Sequence, residues 1–264
     1  MKSWELLDET RTVDGSAVCL MRHDDEYVIL ANGKPLMSSR SHGSEETLAR
    51  LACRRARTMK QPRVLVGGLG MGFTLRAALD LLPLGAVVTV AELVPAVIDW
   101  NRGPLGSLAA HPMKDPRVRI LVADVGFTVR AHSGGFDVVL LDVDNGPAAF
   151  TAAVNEGLYD NGGVAAVYAA LRPGGMLAVW SAWEDRRFEQ RLRSHGFMVE
   201  VERVRARSKK GGARHTIFLG WKHARERDGF AGSECSQSAR TVSRRRRATT
   251  FARSLERGHR DEPT

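Results

Sequence analysis

The stretch Val64-Leu65-Val66-Gly67-Gly68-Leu69-Gly70-Met71-Gly72-Phe73-Thr74-Leu75-Arg76 decides the fold. A short apolar run enters a glycine-rich turn, and the turn opens into a segment of helical character. Glycine lets the backbone turn sharply and lets a ligand approach closely, because no Cβ intervenes. The spacing Gly68-x-Gly70-x-Gly72 suits a nucleoside lying against the turn. It lacks the GxGxxG order of a dinucleotide pyrophosphate site and the GK[ST] ending of a phosphate-binding loop. A tight strand-to-helix turn without a ligand is the plain alternative.

Outward from the turn, apolar runs alternate with helical stretches. The runs are Val64–Val66, Ala86–Val90, Val118–Val122, Val138–Leu141 and Met176–Trp180. Such runs bounded by helices mark a parallel sheet covered on both faces. Helices are expected over 73–82, 95–102, 125–131, 157–171 and 184–194, the last started by a capping box, Ser181-Ala182-Trp183-Glu184. Phe197–Val204 and His215–Gly220 close the sheet around a hairpin loop at 208–212. Before the turn, Ala17–Met21 and Tyr27–Leu30 with the Asn32-Gly33 turn predict a small antiparallel sheet, followed by a helix from Ser44 to Arg57. The division expected is 1–43, 44–220 and a basic tail, 221–264.

The chain has 264 residues and a formal charge of +9, with 43% hydrophobic and 26% charged residues. The charge is uneven: residues 221–264 hold 11 Lys and Arg against 6 Asp and Glu, including Arg244–Arg247. This tail is too poor in aliphatic residues to offset chain entropy, so it reads as disordered. A solvated tail is the simpler reading. A weak, nonspecific, salt-sensitive contact with nucleic-acid phosphates is the other. No apolar run approaches the ~20 residues needed to span a bilayer. The N-terminus, MKSWELLDETR, reads as neither secretory signal nor transit peptide, so a cytoplasmic protein is expected. Cys19, Cys53 and Cys235 are scattered, which fits reduced thiols. No His, Cys or acidic cluster has metal-ligand spacing, so no metal is expected.

Acids stand after the strands that follow the turn. Glu92, about twenty residues past it, is placed to accept from both ribose hydroxyls, or to sit at a helix N-terminus. Asp124 suits an adenine amino group, with the Val125 backbone donating, or an N-cap. Asp142 ends the fourth run. Ligands of open α/β sheets bind at the carboxyl ends of the strands, so together these positions predict an adenosine-type ligand.

With Leu171-Arg172-Pro173-Gly174-Gly175 before the fifth run, the layout resembles the class I S-adenosylmethionine-dependent transferase fold. That likeness implies a Rossmann-like α/β domain with a mostly parallel seven-stranded sheet and helices on both faces. Within it, residues 15–220 are similar to the spermidine synthase (polyamine aminopropyltransferase) family. The carriers are the hairpin region, the glycine turn with Leu75-Arg76, Glu92, Gly135-Phe136-Asp137-Val138 leading to Asp142, and Gly146-Pro147. The resemblance implies ribose binding by Glu92, adenine binding by Asp124 and an amine-side carboxylate from Asp142–Asp144. It also implies a homodimer, since the family's members are commonly dimers or tetramers.

The departures are specific. Met71 stands where the family's GGGDGG motif has an Asp that grips the ammonium of decarboxylated S-adenosylmethionine, and a thioether cannot pair that ion. The family's DxxDPxGP is shortened to Asp142-Val143-Asp144-Asn145-Gly146-Pro147, and its Tyr-Gln-Glu becomes Ser44-Glu45-Glu46. The leading expectation is aminopropyl transfer from decarboxylated S-adenosylmethionine, a co-substrate, to a small amine such as putrescine. Asp144 is the preferred base and Asp142 its companion, because a protonated amine has no lone pair. Glu45 and Glu46 would attract the amine, and Trp183 would wall its pocket, although Trp180 at the end of the fifth run reads equally as core. Methyl transfer from intact S-adenosylmethionine is the second reading, and a non-catalytic nucleoside or polyamine binder the third. His42 reads as a surface loop residue and His215 as a structural hydrogen-bonding residue.

Overall fold

The computed structural model describes residues 3–143, 146–147, 157–206 and 212–224. These lie within one unit, Met1–Arg225. The second unit, Glu226–Thr264, and with it the expected disordered tail apart from residues 221–224, lies outside the described residues.

The chain opens with a four-stranded antiparallel meander. Its strands are β1 (Glu5–Arg11), β2 (Ala17–His23), β3 (Glu26–Ala31) and β4 (Lys34–Ser38), paired in chain order. Strand β1 was not among the expected runs. Its residues are mostly exposed, and it is held by pairing with β2 and by the Arg22–Glu5 ion pair at 2.8 Å. Helix α1 (Gly43–Ala52) is shorter than the expected Ser44–Arg57 helix; a separate 3-10 turn covers Ala56–Thr58. Ser44 does not cap it. It lies inside the first turn and is fully buried, and the N-cap position belongs to His42.

The large sheet follows as expected. It consists of β5 (Arg63–Gly67), β6 (Val87–Glu92), β7 (Val118–Val122), β8 (Phe136–Leu141), β9 (Leu171–Ser181), β10 (Phe197–Arg205) and β11 (Arg214–Lys222). The spatial order is β10-β11-β9-β8-β5-β6-β7. The pairs among β5 to β9 are parallel, and β11 is antiparallel to both neighbours. The helices between are α2 (Phe73–Leu81), α3 (Pro95–Arg102), α4 (Val125–Arg130), α5 (Asn161–Ala170) and α6 (Arg186–Ser194). This is the Rossmann-like α/β architecture that the resemblance implies, built on the parallel sheet that the apolar runs predict. Strand β11 continues through Trp221 and Lys222, beyond the expected end at Gly220.

Two local expectations are corrected. The capping box at Ser181–Glu184 does not form. Ser181 is the last residue of β9, where it pairs with Thr216, and α6 is capped by Asp185, which accepts from the backbone N–H groups of Arg187 and Phe188. Sheet pairing outcompeted the cap because both use the same residue. Strand β7 is not covered on both faces. It forms a sheet edge, with Val122 63% exposed. The Arg117 guanidinium secures its start, binding both oxygens of Asp115 and the Leu82 carbonyl, and holds the Asp115 carboxyl down at about 2.

Alternation along the strands sorts the core into two layers. Val64, Val66, Val138, Leu140, Met176, Ala178, Trp180, Ile217 and Leu219 face α1 and α2. The small sheet joins that layer through Val18, Leu20 and Ile29. Leu65, Val139, Leu141, Leu177, Val179 and Phe218 face the other way, against α4, α5 and α6. Each fully buried aliphatic side chain contributes roughly 1.5–3 kcal/mol relative to exposure. Strand order reverses between β5 and β8, so a crevice opens at their carboxyl ends. No helix among the described residues is long and apolar enough to cross a membrane.

Candidate functional site

The glycine turn fills that crevice. Gly68, Gly70 and Gly72 all take positive φ. Gly68 shows why glycine is required: a Cβ there would run into the carbonyl oxygen of Asp142 on the neighbouring strand end. Two further bonds extend the ladder past the strands, Gly68 N–H to Ala91 O at 2.9 Å and Asp142 N–H to Gly67 O at 3.0 Å. They bring β5, β6 and β8 to one level.

Glu92 is buried at the end of β6. One carboxylate oxygen accepts from Leu69 N–H and the other from Val94 N–H, each at 2.8 Å. It therefore ties the glycine turn to the approach of α3. Asp124 is the N-cap of α4, accepting from Phe127 N–H at 2.7 Å, so the plain alternative reading of that residue holds in this structure. Val125 is buried beside Gly67. Phe127 is 67% exposed on the same first turn.

Met71 is fully buried, and its N–H donates to the Met37 thioether at 3.2 Å. Met37 belongs to β4, so the small sheet reaches over the glycine turn. No carboxylate takes the place of Met71 within the turn itself.

The carboxylates lie instead on the α1 and β8 side. Asp142 accepts from the Thr74 hydroxyl at 2.6 Å, at the start of α2. Glu45 points inward from α1, is 5% exposed and accepts from the Ser44 hydroxyl at 2.5 Å. The two carboxyls are electrostatically coupled. Burial pushes Asp142 up to about 6, against the Thr74 hydrogen bond that favours its ionised form. Burial and then the Asp142 charge push Glu45 up to about 7. The repulsion belongs to the pair, which gives up its protons in two coupled steps.

Around this pair the expected residues separate. Glu46 is exposed and turned to His42, with 2.9 Å between Glu46 Oε1 and His42 Nδ1. His42 in turn stacks on Phe73 at 4.0 Å. Trp183 is 53% exposed and stands outside the cluster, whereas Trp180 is buried. The Trp180 N–H has no partner among the described residues. The Trp180 ring packs edge-on against His215, centroids 4.6 Å apart, and His215 Nδ1 lies 2.9 Å from the Ser44 hydroxyl. His215 does make the hydrogen bond expected of it, but that bond leads into the carboxylate cluster. Ser44, Thr74 and His215 were not singled out as site residues. Alternation is the signal that places His215, since it shares a face with Ile217 and Leu219. Asp144 lies outside the described residues.

Cys53 is buried, which pushes its thiol up to about 12, so it is chemically quiet. Among the described residues no group of His, Cys, Asp and Glu is arranged to hold a metal ion.

Compared with known proteins, the chain matches no family model. It also matches no curated protein. Solved structures do match. A spermidine synthase in complex with the transition-state analogue AdoDATO aligns with a TM-score of 0.64 at 19% identity, over 82% of this chain and 72% of the other. The spermidine synthase of Thermotoga maritima aligns equally well, with a TM-score of 0.64 at 18% identity over the same shares. A probable spermidine synthase from Corynebacterium glutamicum gives 0.57 at 19% identity, over 84% of this chain and 81% of that one. The chain thus shares the fold of these spermidine synthase structures, a Rossmann-like α/β domain with a small antiparallel sheet at its N-terminus.

Proposed function

We propose that the protein transfers an aminopropyl group from decarboxylated S-adenosylmethionine to a small amine. The observation that carries this reading is the coupled carboxyl pair beside the glycine turn, Glu45 buried and Asp142 half-buried. Such a carboxyl pair attracts a cationic amine, and its raised proton affinity suits it to take a proton near neutrality. The amine nitrogen attacks the sulfonium-bound carbon. The C–N bond forms, the C–S bond breaks with its electrons passing to sulfur, and a neutral thioether leaves. Asp142 is the base in this reading, with Glu45 as the second carboxylate; Asp144, preferred as base from the sequence, lies outside the described residues. Glu92 and the glycine turn hold the ribose, while Asp124 and Val125 hold the adenine. The likeness to a spermidine synthase that binds AdoDATO supports a donor of this class.

Methyl transfer from intact S-adenosylmethionine is the second reading, favoured by Met71 in the glycine turn. One experiment separates the two. The protein is incubated with putrescine and a panel of related amines, with each donor in turn. Methylthioadenosine from the decarboxylated donor, lost in Asp142→Asn by about a hundredfold or more, supports the first reading. S-adenosylhomocysteine from the intact donor, with no methylthioadenosine, supports the second.

A further inference from the structure

A proton taken from the amine has to leave a buried site. The hydrogen bonds around Glu45 describe a way out. The Ser44 hydroxyl, fully buried, touches Glu45 Oε2 at 2.5 Å on one side and His215 Nδ1 at 2.9 Å on the other. His215 is the one member of this chain that reaches partial exposure. We propose that Glu45, Ser44 and His215 form a proton relay that carries the amine's proton from the carboxyl pair to solvent. This rests on the reading of the site as an amine-deprotonating one.

The balance is set by one hydroxyl proton. When Glu45 is ionised, Ser44 O–H donates to it, and Ser44 accepts from His215 Nδ1–H. When the pair has taken up the amine's proton, the ring first changes tautomer by exchange with water, one proton leaving Nδ1 as one joins Nε2; Glu45 O–H then donates to Ser44, and Ser44 donates to the unprotonated Nδ1. Two short transfers then move one proton along: Glu45 to Ser44, and Ser44 to Nδ1. Glu45 is left ionised and His215 is briefly an imidazolium, which loses its Nε2 proton to water. The hydrogen-bond pattern is then the starting one. Burial lowers the proton affinity of His215, which keeps the ring neutral between turnovers and makes it release the proton quickly. The groups facing the relay are Glu45 and Glu46 from α1, the latter turned out to His42, Asp142 from β8, and Trp180 from β9. Val204 stands opposite His215 on β10.

Two measurements test the relay. In steady-state assays with the best amine and donor, His215→Gln is expected to lower kcat about tenfold near neutral pH, leave KM for the amine within about twofold, and regain most of the loss when imidazole is added to the buffer. An unchanged kcat, or a loss accompanied by a raised KM and no imidazole rescue, overturns the relay. The second measurement needs no turnover. Ring nitrogen chemical shifts of His215 report its tautomer. In the wild type the neutral ring should change from Nε2–H to Nδ1–H as the pH rises through the titration of Glu45. In Ser44→Ala the change should vanish while the melting curve shows a folded protein. One tautomer throughout in the wild type, or the same change in Ser44→Ala, overturns the proposal. If every amine fails with both donors, the amine reading falls, and the tautomer measurement still decides the relay.

Discussion

The Glu45→Gln substitution turns the buried carboxyl pair into a stability measurement. Gln is isosteric and keeps an acceptor for the Ser44 hydroxyl, so the change removes a charge and little else. In the folded protein Glu45 is raised from 4.5 to about 7. A raised folded value means the group's contribution to stability is complete below its unfolded value and is lost as the pH climbs through the folded one. The window therefore runs from about 4.5 to about 7. Across it the wild type gives up about 3 kcal/mol by being forced to ionise Glu45 in a buried place. Gln gives up none of this. For a domain of this size 1 kcal/mol moves the melting temperature by about 2–4 °C, and relaxation around the ionised group trims the full value. Glu45→Gln should thus melt roughly 4–8 °C above the wild type at pH 8 and within about 1 °C of it at pH 5. Titrating groups away from the pair, Asp115 included, are common to both proteins and cancel in the difference; the repulsion from Asp142 is part of what Gln relieves. Calorimetric melts at the two pH values read the result. An equal difference at both pH values, or a less stable Gln variant at pH 8, would refute the claim that Glu45 is a buried carboxylate under strain.

Three further substitutions test other parts of the structure. Thr74→Val removes the hydroxyl that favours ionised Asp142, so the acid limb of the pH–rate profile should move upward, with activity falling several-fold near neutrality and recovering at alkaline pH; an unmoved limb excludes Asp142 as the base. Gly146→Ala should cost about 2–4 kcal/mol in denaturant unfolding, because Gly146 has φ +81 and an added Cβ would stand 2.6 Å from Trp180 O. Asp124→Ala should cost about 1 kcal/mol through loss of the α4 cap, and in the adenine reading it should also weaken nucleoside binding by calorimetry about tenfold or more; unchanged binding would leave Asp124 as a cap alone.

The parallel sheet was legible because its strands are continuous apolar runs and its turns carry glycine or an acid at the strand ends. Those signals are local. What escaped them was decided by tertiary pairing. Strand β1, Glu5–Arg11, has too many charges to read as a strand, and it becomes one only because β2 offers it partners. Ser181 looked like a cap, but the β9–β11 ladder claimed it. Of the site, Asp142 and the glycine turn stood out by position, while of the neighbours Glu45 and Glu46 it was Glu46 that kept the Glu of the family's Tyr-Gln-Glu. Helix rotation turns Glu45 into the core and Glu46 toward solvent and His42. The Ser44 to His215 bond joins residues 171 positions apart, and no local pattern announces such a meeting.

The alternation of the large sheet limits how this protein can change by descent. Asp142, Trp180 and His215 continue the same rows as Leu140, Ala178 and Ile217, which face α1 and α2. A one-residue insertion or deletion within β8, β9 or β11 would turn the row's functional end to the opposite face and exchange the two core layers at once. Candidate site and hydrophobic register are therefore inherited as one unit on these strands. Point substitutions can retune the chemistry at the strand ends, but length variation has to be confined to the connections between strands.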